Sequence, residues 1–351
     1  MTKLDLTWNF RTPDQDNHFF KDSVRCFGMV SDLQDNHCHV PVSPNDHTFI
    51  MGKDTTQAFI NACPHKQTKL FGNSSACAGK IVCPLHHWTF DSTGTFISGR
   101  GFTPTPNMSL TKSPVYTWQG FIMSGDNNWV QTINKELEND LDLFTGNNYS
   151  IWKREHLESN FDWKIFLEIY LDLYHVRSAH PSLRSVIDIN DYKYSFGDGW
   201  SCMHARIDNV GSKLKKYEKA QRWVSACEEL GLFNTPCKII WLVIYPNVML
   251  EIYPGCIIVS QVYPNDVGKN KSTLEFYFDN EIMNINPDFA QITYDFWMET
   301  ANEDEEICEQ IQAGRKNMTA IYNKLPLFNH TVEEAANTHW FKWMREKDYV
   351  Q

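Results

Sequence analysis

Two short segments constrain this chain more than any others: Cys63-Pro64-His65 and, seventeen residues later, Cys83-Pro84-Leu85-His86. Each offers one thiolate and one imidazole from a tight turn, and Pro64 and Pro84 shape those turns so that both ligands point the same way. Two cysteines and two histidines in this order suit a two-iron, two-sulfur cluster in which the cysteines hold one iron and the histidines the other. Imidazole ligation sets such a centre at roughly −150 to +300 mV, above all-cysteine ferredoxins. Structural zinc also accepts two Cys and two His. It pairs Cys with Cys and His with His at short spacing, however, unlike the Cys-x-His and Cys-x-x-His found here.

The 10 cysteines run from Cys26 to Cys308 in a 351-residue chain, too dispersed for a disulfide scaffold. Cys26, Cys38, Cys202, Cys227, Cys237 and Cys256 are expected to be small core residues. With 42% hydrophobic and 21% charged residues, the chain has an ordinary globular composition and length for two cores. A net charge of −11 without any Lys/Arg-rich run disfavours nucleic acid and anionic membrane surfaces as partners. The most apolar stretch, Ile239 to Leu250, contains Pro246 and is far shorter than the roughly 20 residues of a membrane span. It reads as paired buried strands. Met1 to Phe10 has one lysine and no apolar segment, so it is not a secretory signal; the expected location is the cytoplasm.

Turn formers dominate up to about residue 129, separated by apolar runs at Val40–Val42, Thr48–Met51, Ala58–Asn61, Lys80–Cys83, Thr95–Ile97 and Gly120–Met123. That pattern predicts a small all-β domain over 1–129. Val130 to Leu143, polar and acidic, reads as a linker. Beyond it, Asn160 to Tyr174 is helical, with Phe161, Ile165, Phe166, Ile169 and Leu173 as its apolar stripe. Lys238 to Phe278 reads as a sheet, Phe289 to Arg315 as a helix and Thr331 to Tyr349 as another. The predicted class is α+β, the second domain (130–351) combining an antiparallel sheet with helices.

A second ligand set lies in that domain. Asp172-Leu-Tyr-His175 is followed, after four residues, by His180-Pro181. On a helix Asp172 and His175 share a face, and His180 falls at the break forced by Pro181. Two histidines need one carboxylate to complete the facial triad of a non-haem iron(II) site, which keeps positions open for oxygen. Among the acids of Glu299 to Glu306, only Asp304 falls on the stripe Trp297, Ala301, Asp304, Ile307, Cys308, Ile311. A carboxylate facing inward is costly unless something binds it. Glu303 lies off the stripe or at its margin, and Glu305 and Glu306 read as a solvated helix start.

The run Cys83-Pro-Leu-His-His-Trp-Thr-Phe-Asp-Ser-Thr-Gly94 resembles the second ligand loop of the Rieske ring-hydroxylating oxygenases. Asp172-x-x-His175-x-x-x-x-His180-Pro181, with Glu303-Asp304, Ile307-Cys308 and Gln312-x-Gly314, resembles their catalytic segments. The likeness runs from about Phe27 to Gly314, strong at both metal motifs and weak between Asn190 and Lys238. It implies a Rieske [2Fe-2S] cluster on Cys63, His65, Cys83 and His86, and a mononuclear Fe(II) on His175, His180 and Asp304, with O2 as co-substrate. It further implies a helix-grip-like catalytic domain, a separate reductase or ferredoxin as electron donor, and a homotrimer. In that trimer Asp172 would be the bridging carboxylate, between His175 and the cluster ligand His86 of a neighbouring subunit. His87 stands where the family usually has Gly, Lys66-Gln67 where it has Arg-Gly, and Ile169 where Asn often follows the glutamate matching Glu168. None of these removes a ligand, and His87 is not expected to be one.

The resemblance points to hydroxylation or dihydroxylation of an organic, expectedly aromatic, substrate. Two alternatives stand beside it. One is a mono-oxygenase or demethylase of a quaternary ammonium or other N- or O-alkyl compound, for which 12 tryptophans and 14 tyrosines could supply an aromatic cage. The other is a Rieske electron carrier without oxygenase activity, which needs no second iron. Trp241, Tyr245, Met249, Ile252, Tyr253 and Phe276 are the expected pocket residues, with strand alternation placing about half of such residues inward.

Overall fold

The structure, a computed structural model, describes residues 2–20, 23–33, 37–39, 48–52, 55–72, 75–76, 79–138, 148–207, 216–233, 238–322 and 324–347. The chain forms two compact units: Arg25–Asn127 with Thr145–Asn148, and Met1–Val24 with Asn128–Phe144 and Tyr149–Gln351.

The smaller unit is built of short strands. A five-stranded sheet runs in the order Lys112–Ser113, Gln57–Ile60, Thr48–Met51, His37–His39, Ser75–Ala76, beside two three-stranded sheets. One of these is the meander Lys80–Val82, Thr89–Asp91, Phe96–Ser98. Its alternation is plain at Lys80–Val82, where only Ile81 is buried. Ile81, Phe90 and Phe96 meet Phe49, Phe59 and Trp88 in one core. Gly94, at φ +81°, leaves room for the Phe59 ring, which a Cβ there would strike. The expected strand at Val40–Val42 lies outside the described residues.

The larger unit centres on a seven-stranded antiparallel sheet in the order Tyr149–Ser159, Lys269–Asp279, Cys256–Asp266, Val248–Tyr253, Lys238–Ile244, Trp200–Ile207, Ile187–Gly197. Six of the strands pair in chain order, by hairpins except where the helix Glu218–Glu229 intervenes between Trp200–Ile207 and Lys238–Ile244, and Tyr149–Ser159 pairs with the last of them. Every residue of Val248–Tyr253 is buried, as in a strand covered on both faces. The helices Phe289–Thr319 and Glu218–Glu229 share a core with the sheet through Phe289, Phe296, Trp223 and Phe278. A second core joins Val243, Tyr245, Met249 and Tyr263 of the sheet to Trp163, Trp340 and Phe341. Among the described residues no helix is long and apolar enough to cross a membrane.

Several local readings of the sequence are corrected. Residues 129–136 form a helix, not a linker, because Trp129, Ile133 and Leu137 recur at helical spacing and are buried; the rest of that segment, 139–143, is outside the described residues. The chain start belongs with the larger unit rather than with the all-β one. Trp8, Phe19 and Phe20 insert into the core of Trp163 and Trp340, and strand Thr2–Asp5 pairs with Lys324–Leu327. The helix expected to reach Tyr174 covers only Trp163–Tyr170. Cys26, Cys202, Cys227 and Cys256 are buried thiols outside any disulfide; the Cys38 side chain and Cys237 are not among the described parts.

Candidate active site

Asp172 ends the helix that the apolar stripe alone would have continued. Its Oδ1 accepts hydrogen bonds from the backbone N–H of Tyr174 at 2.6 Å and of His175 at 3.3 Å, a local alternative to helical bonding. Asp172 and His175 are therefore brought together by a turn rather than by one helix face. His175 then caps the short helix Val176–Ala179, and His180 sits at the joint before Pro181–Arg184. Proline disfavours helical backbone in the residue before it. His180 accordingly adopts φ −116°, ψ 71°, and its ring is directed at the long helix Phe289–Thr319.

That helix supplies Asp304. Its Oδ1 lies 2.9 Å from His180 Nε2 and 3.2 Å from His175 Nε2, and the two Nε2 atoms are 2.9 Å apart. The three donor atoms fall within 4.8 Å of one another. Burial would lift the Asp304 carboxyl, but the two imidazoles outweigh it and hold it below the ordinary range. Burial likewise opposes charge on His175, yet Asp172 and Asp304 raise it to about 10. His180 is raised too, burial being outweighed by Asp304 and Glu303. Protons thus favour the very point on which three lone pairs converge, as expected where a cation belongs.

A carboxylate stands behind each histidine. Glu303 Oε2 accepts a hydrogen bond from His180 Nδ1–H at 2.7 Å. Asp172 Oδ2 stands 3.5 Å from His175 Nδ1. A carboxylate on the far ring nitrogen fixes the tautomer of a metal-binding histidine. The role of Glu303 was missed in the sequence because helical periodicity placed it at the margin of the apolar stripe. His180 reaches that margin only because Pro181 breaks the chain there.

The triad lines a cavity of about 110 Å³. Leu157, Phe161, Phe166, Val176, Leu183 and Ile187 give it apolar walls, Tyr170, Trp241, Tyr253 and Trp297 give it aromatic ones, and among the described residues no lysine or arginine contributes. Of the expected pocket residues, Trp241 and Tyr253 line it. Ile252 points to the opposite face of its strand. Met249 and Phe276 have the right parity but the wrong position along their strands, and Tyr245 lies just past the end of Lys238–Ile244. Tyr245 and Met249 are packed in the core with Trp163 and Trp340, and Phe276 lies against Tyr294 and Trp297. Glu305 is not a solvated residue of a helix start: it lies in mid-helix, lines the cavity and accepts a hydrogen bond from Ser159 Oγ at 3.2 Å. Glu251 was also missed, although a lone acid inside the apolar run Val248–Tyr253 is the same signal that singled out Asp304.

In the smaller unit, the two Cys/His turns are built alike. Cys63 N–H donates to Thr68 O at 2.9 Å and Cys63 O accepts from Gln67 N–H at 2.8 Å; Cys83 N–H donates to Trp88 O at 2.8 Å and Cys83 O accepts from His87 N–H at 3.0 Å. Both thiols are buried. Burial pushes the Cys63 thiol up, with Cys83 beside it adding to the effect. The His65 and His86 rings are 4.8 Å apart, and His65 stacks on Trp88 at 4.8 Å.

A sequence profile for the Rieske [2Fe-2S] domain matches residues 24–109, and one for the ring-hydroxylating alpha subunit (catalytic domain) matches 147–347. A putrescine 2-hydroxylase of Ralstonia nicotianae is 30% identical over 82% of this chain and 78% of its own length. The chain belongs to the Rieske non-haem iron oxygenases.

Other relatives agree. The carnitine monooxygenase oxygenase subunit of Acinetobacter pittii is 23% identical over 76% of this chain and 71% of that protein. Among solved structures, a quaternary ammonium Rieske monooxygenase superposes with a TM-score of 0.76 at 19% identity, covering 95% of this chain and 92% of the other. Naphthalene 1,2-dioxygenase from Rhodococcus superposes with a TM-score of 0.74 at 12% identity over 99% and 95%. As a Rieske oxygenase the protein is an oxidoreductase with a [2Fe-2S] cluster and a mononuclear iron, acting with a reductase or ferredoxin. The residues present fit both groups. His65 Nδ1 is a buried nitrogen without a hydrogen-bond partner, beside two buried thiols. His175, His180 and Asp304 offer two imidazole nitrogens and one carboxylate, a set suited to iron(II), which would displace the protons held there.

Proposed function

We propose that this Rieske oxygenase is a terminal hydroxylase of a small aliphatic amine. The observation that carries the reading is the cavity beside His175, His180 and Asp304, whose lining combines aromatic rings and carboxylates and, among the described residues, no lysine or arginine. Such a wall favours a cation. The relatives lean the same way: their names are putrescine hydroxylase, carnitine monooxygenase and choline monooxygenase. This favours the amine alternative over the aromatic substrate first expected. Likeness to naphthalene dioxygenase shows the shared fold alone.

In this reading His175, His180 and Asp304 hold the iron, and Cys63, His65, Cys83 and His86 hold the cluster. Iron bound by two nitrogens and one carboxylate supplies open positions for O2. Glu303 keeps His180 Nε2 directed at the metal by holding the proton at Nδ1. Asp172 places its charge behind His175 and, as a bridging carboxylate, would meet His86 of the partner subunit in a ring-shaped homotrimer. The exposure of His86 at the tip of its turn supports that contact. Phe161, Phe166 and Leu183 exclude water from the carbon to be hydroxylated. Buried thiols that form no disulfide among the described residues suit a cytoplasmic location.

Asp304→Ala should lose the mononuclear iron and substrate-dependent oxygen uptake while the visible absorption of the cluster survives. Metal analysis should fall from about three irons per chain to about two. Retained hydroxylation of an amine by this variant would refute the assignment.

A further inference from the structure

The buried carboxylates among the described residues are Asp16, Asp162, Glu168, Glu251, Glu275 and Glu333. Five have a cation of their own: Lys164 serves Asp16 and Asp162, Arg315 serves Glu168, Arg154 serves Glu275 and Arg177 serves Glu333. Glu251 differs. Its Oε2 accepts from Trp297 Nε1 at 2.9 Å and from the Tyr253 hydroxyl at 3.1 Å, and Trp241 also supports the carboxyl. All of these partners are neutral.

The group is 4% exposed, yet it lines the cavity that holds the triad. The Tyr170 hydroxyl is buried in the same wall, close to Glu251, without a hydrogen bond of normal geometry. Burial, with the nearby charge of Asp304, pushes the Glu251 carboxyl up to about 7. A buried carboxyl poised at neutrality ionises readily once a cation arrives. Four aromatic residues and one carboxylate therefore form a cage to which no lysine or arginine among the described residues brings a positive charge.

We infer that Glu251, framed by Tyr170, Trp241, Tyr253 and Trp297, binds the protonated, N–H-bearing ammonium group of the substrate. The inference rests on the amine reading above and names the residues that recognise the amine. A carboxylate and a vacant tyrosine oxygen are both acceptors, so they reward an ammonium that donates hydrogen bonds over a fully methylated one. Position follows from the long helix. Trp297 and Asp304 share its inward face seven residues apart, about 10 Å along the axis at roughly 1.5 Å per residue. The ammonium is thus held some way from the iron and sets which carbon faces it.

The test is calorimetric titration of the iron-loaded protein with butylamine, N,N,N-trimethylbutylammonium and butan-1-ol. Wild type should bind butylamine about thirtyfold more tightly than the other two, the scale of charge-assisted hydrogen bonds. Glu251→Gln, which keeps both hydrogen bonds to the carboxyl position, should bind butylamine no better than butan-1-ol while iron content, cluster absorption and melting stay at wild type. Unchanged butylamine affinity in that variant overturns the proposal, as does tighter binding of the trimethyl compound by wild type. If Glu251→Gln does not fold, Tyr170→Phe carries the test: a loss of threefold or more for butylamine alone supports the site, and no loss overturns it. Oxygen uptake separates the two claims. Amine-driven uptake with an unaltered Glu251→Gln leaves the amine reading standing and removes this site; uptake driven only by neutral aromatics removes both.

Discussion

His87 and Gln67 adopt left-handed backbone angles, φ 57° and 53°, at the positions where the family usually has glycine. The equivalent turns explain why: each must bring its N–H back to the carbonyl of the preceding ligand cysteine. A side chain in that region is strained by roughly 1–2 kcal/mol, whereas glycine there is strained only through the greater freedom of the unfolded chain, about 0.4–1 kcal/mol. His87→Gly should therefore stabilise the cluster turn by about 0.5–1 kcal/mol and delay thermal bleaching of the cluster by a few degrees, with its spectrum unaltered. A changed spectrum would instead make His87 a ligand. Sequence alone showed the departure from glycine but not its cost, since backbone sign is a property of the folded turn.

At the scale of elements, the helix Pro13–Phe20 and the helix Trp163–Tyr170 are joined by a buried ionic knot. Lys164, wholly buried, pairs with Asp16 and lies 3.2 Å from Asp162, while Trp163 Nε1 donates to Asp16 at 2.7 Å. Two carboxylates left inside without their cation would be strongly unfavourable. Lys164→Met should lower stability by about 3–5 kcal/mol and make residues 13–20 an early site of proteolysis. Resistance of that segment equal to wild type would show that apolar packing of Phe19 and Phe20 suffices. Neither partner announced the other in sequence, for Asp16 and Lys164 are separated by nearly half the chain. The helix itself was legible from its apolar stripe; its end was not, because a single Asp172 side chain redirected the backbone.

For the whole molecule, the proposed trimer makes Asp172 the carrier of communication between subunits. Asp172→Asn keeps an acceptor and both metal centres but removes the charge that steadies His175. Single-turnover electron transfer from cluster to iron should slow about 10–100-fold, as for other groups behind metal ligands, with the assembly unchanged in sedimentation. Wild-type rates in that variant would leave the bridging idea without support. Both metal motifs, the α+β class and the inward carboxylate Asp304 were written in local spacing, because each depends on residues a few positions apart or on one helix face. Glu303 behind His180, Glu251 in its aromatic cage and the docking of the chain start depend on segments distant in sequence meeting in space. Periodicity tells which face of a strand looks inward; only the packing of helix against sheet decides how far along that strand the cavity lies, which is why Tyr253 lines it and Met249, on the same face, does not.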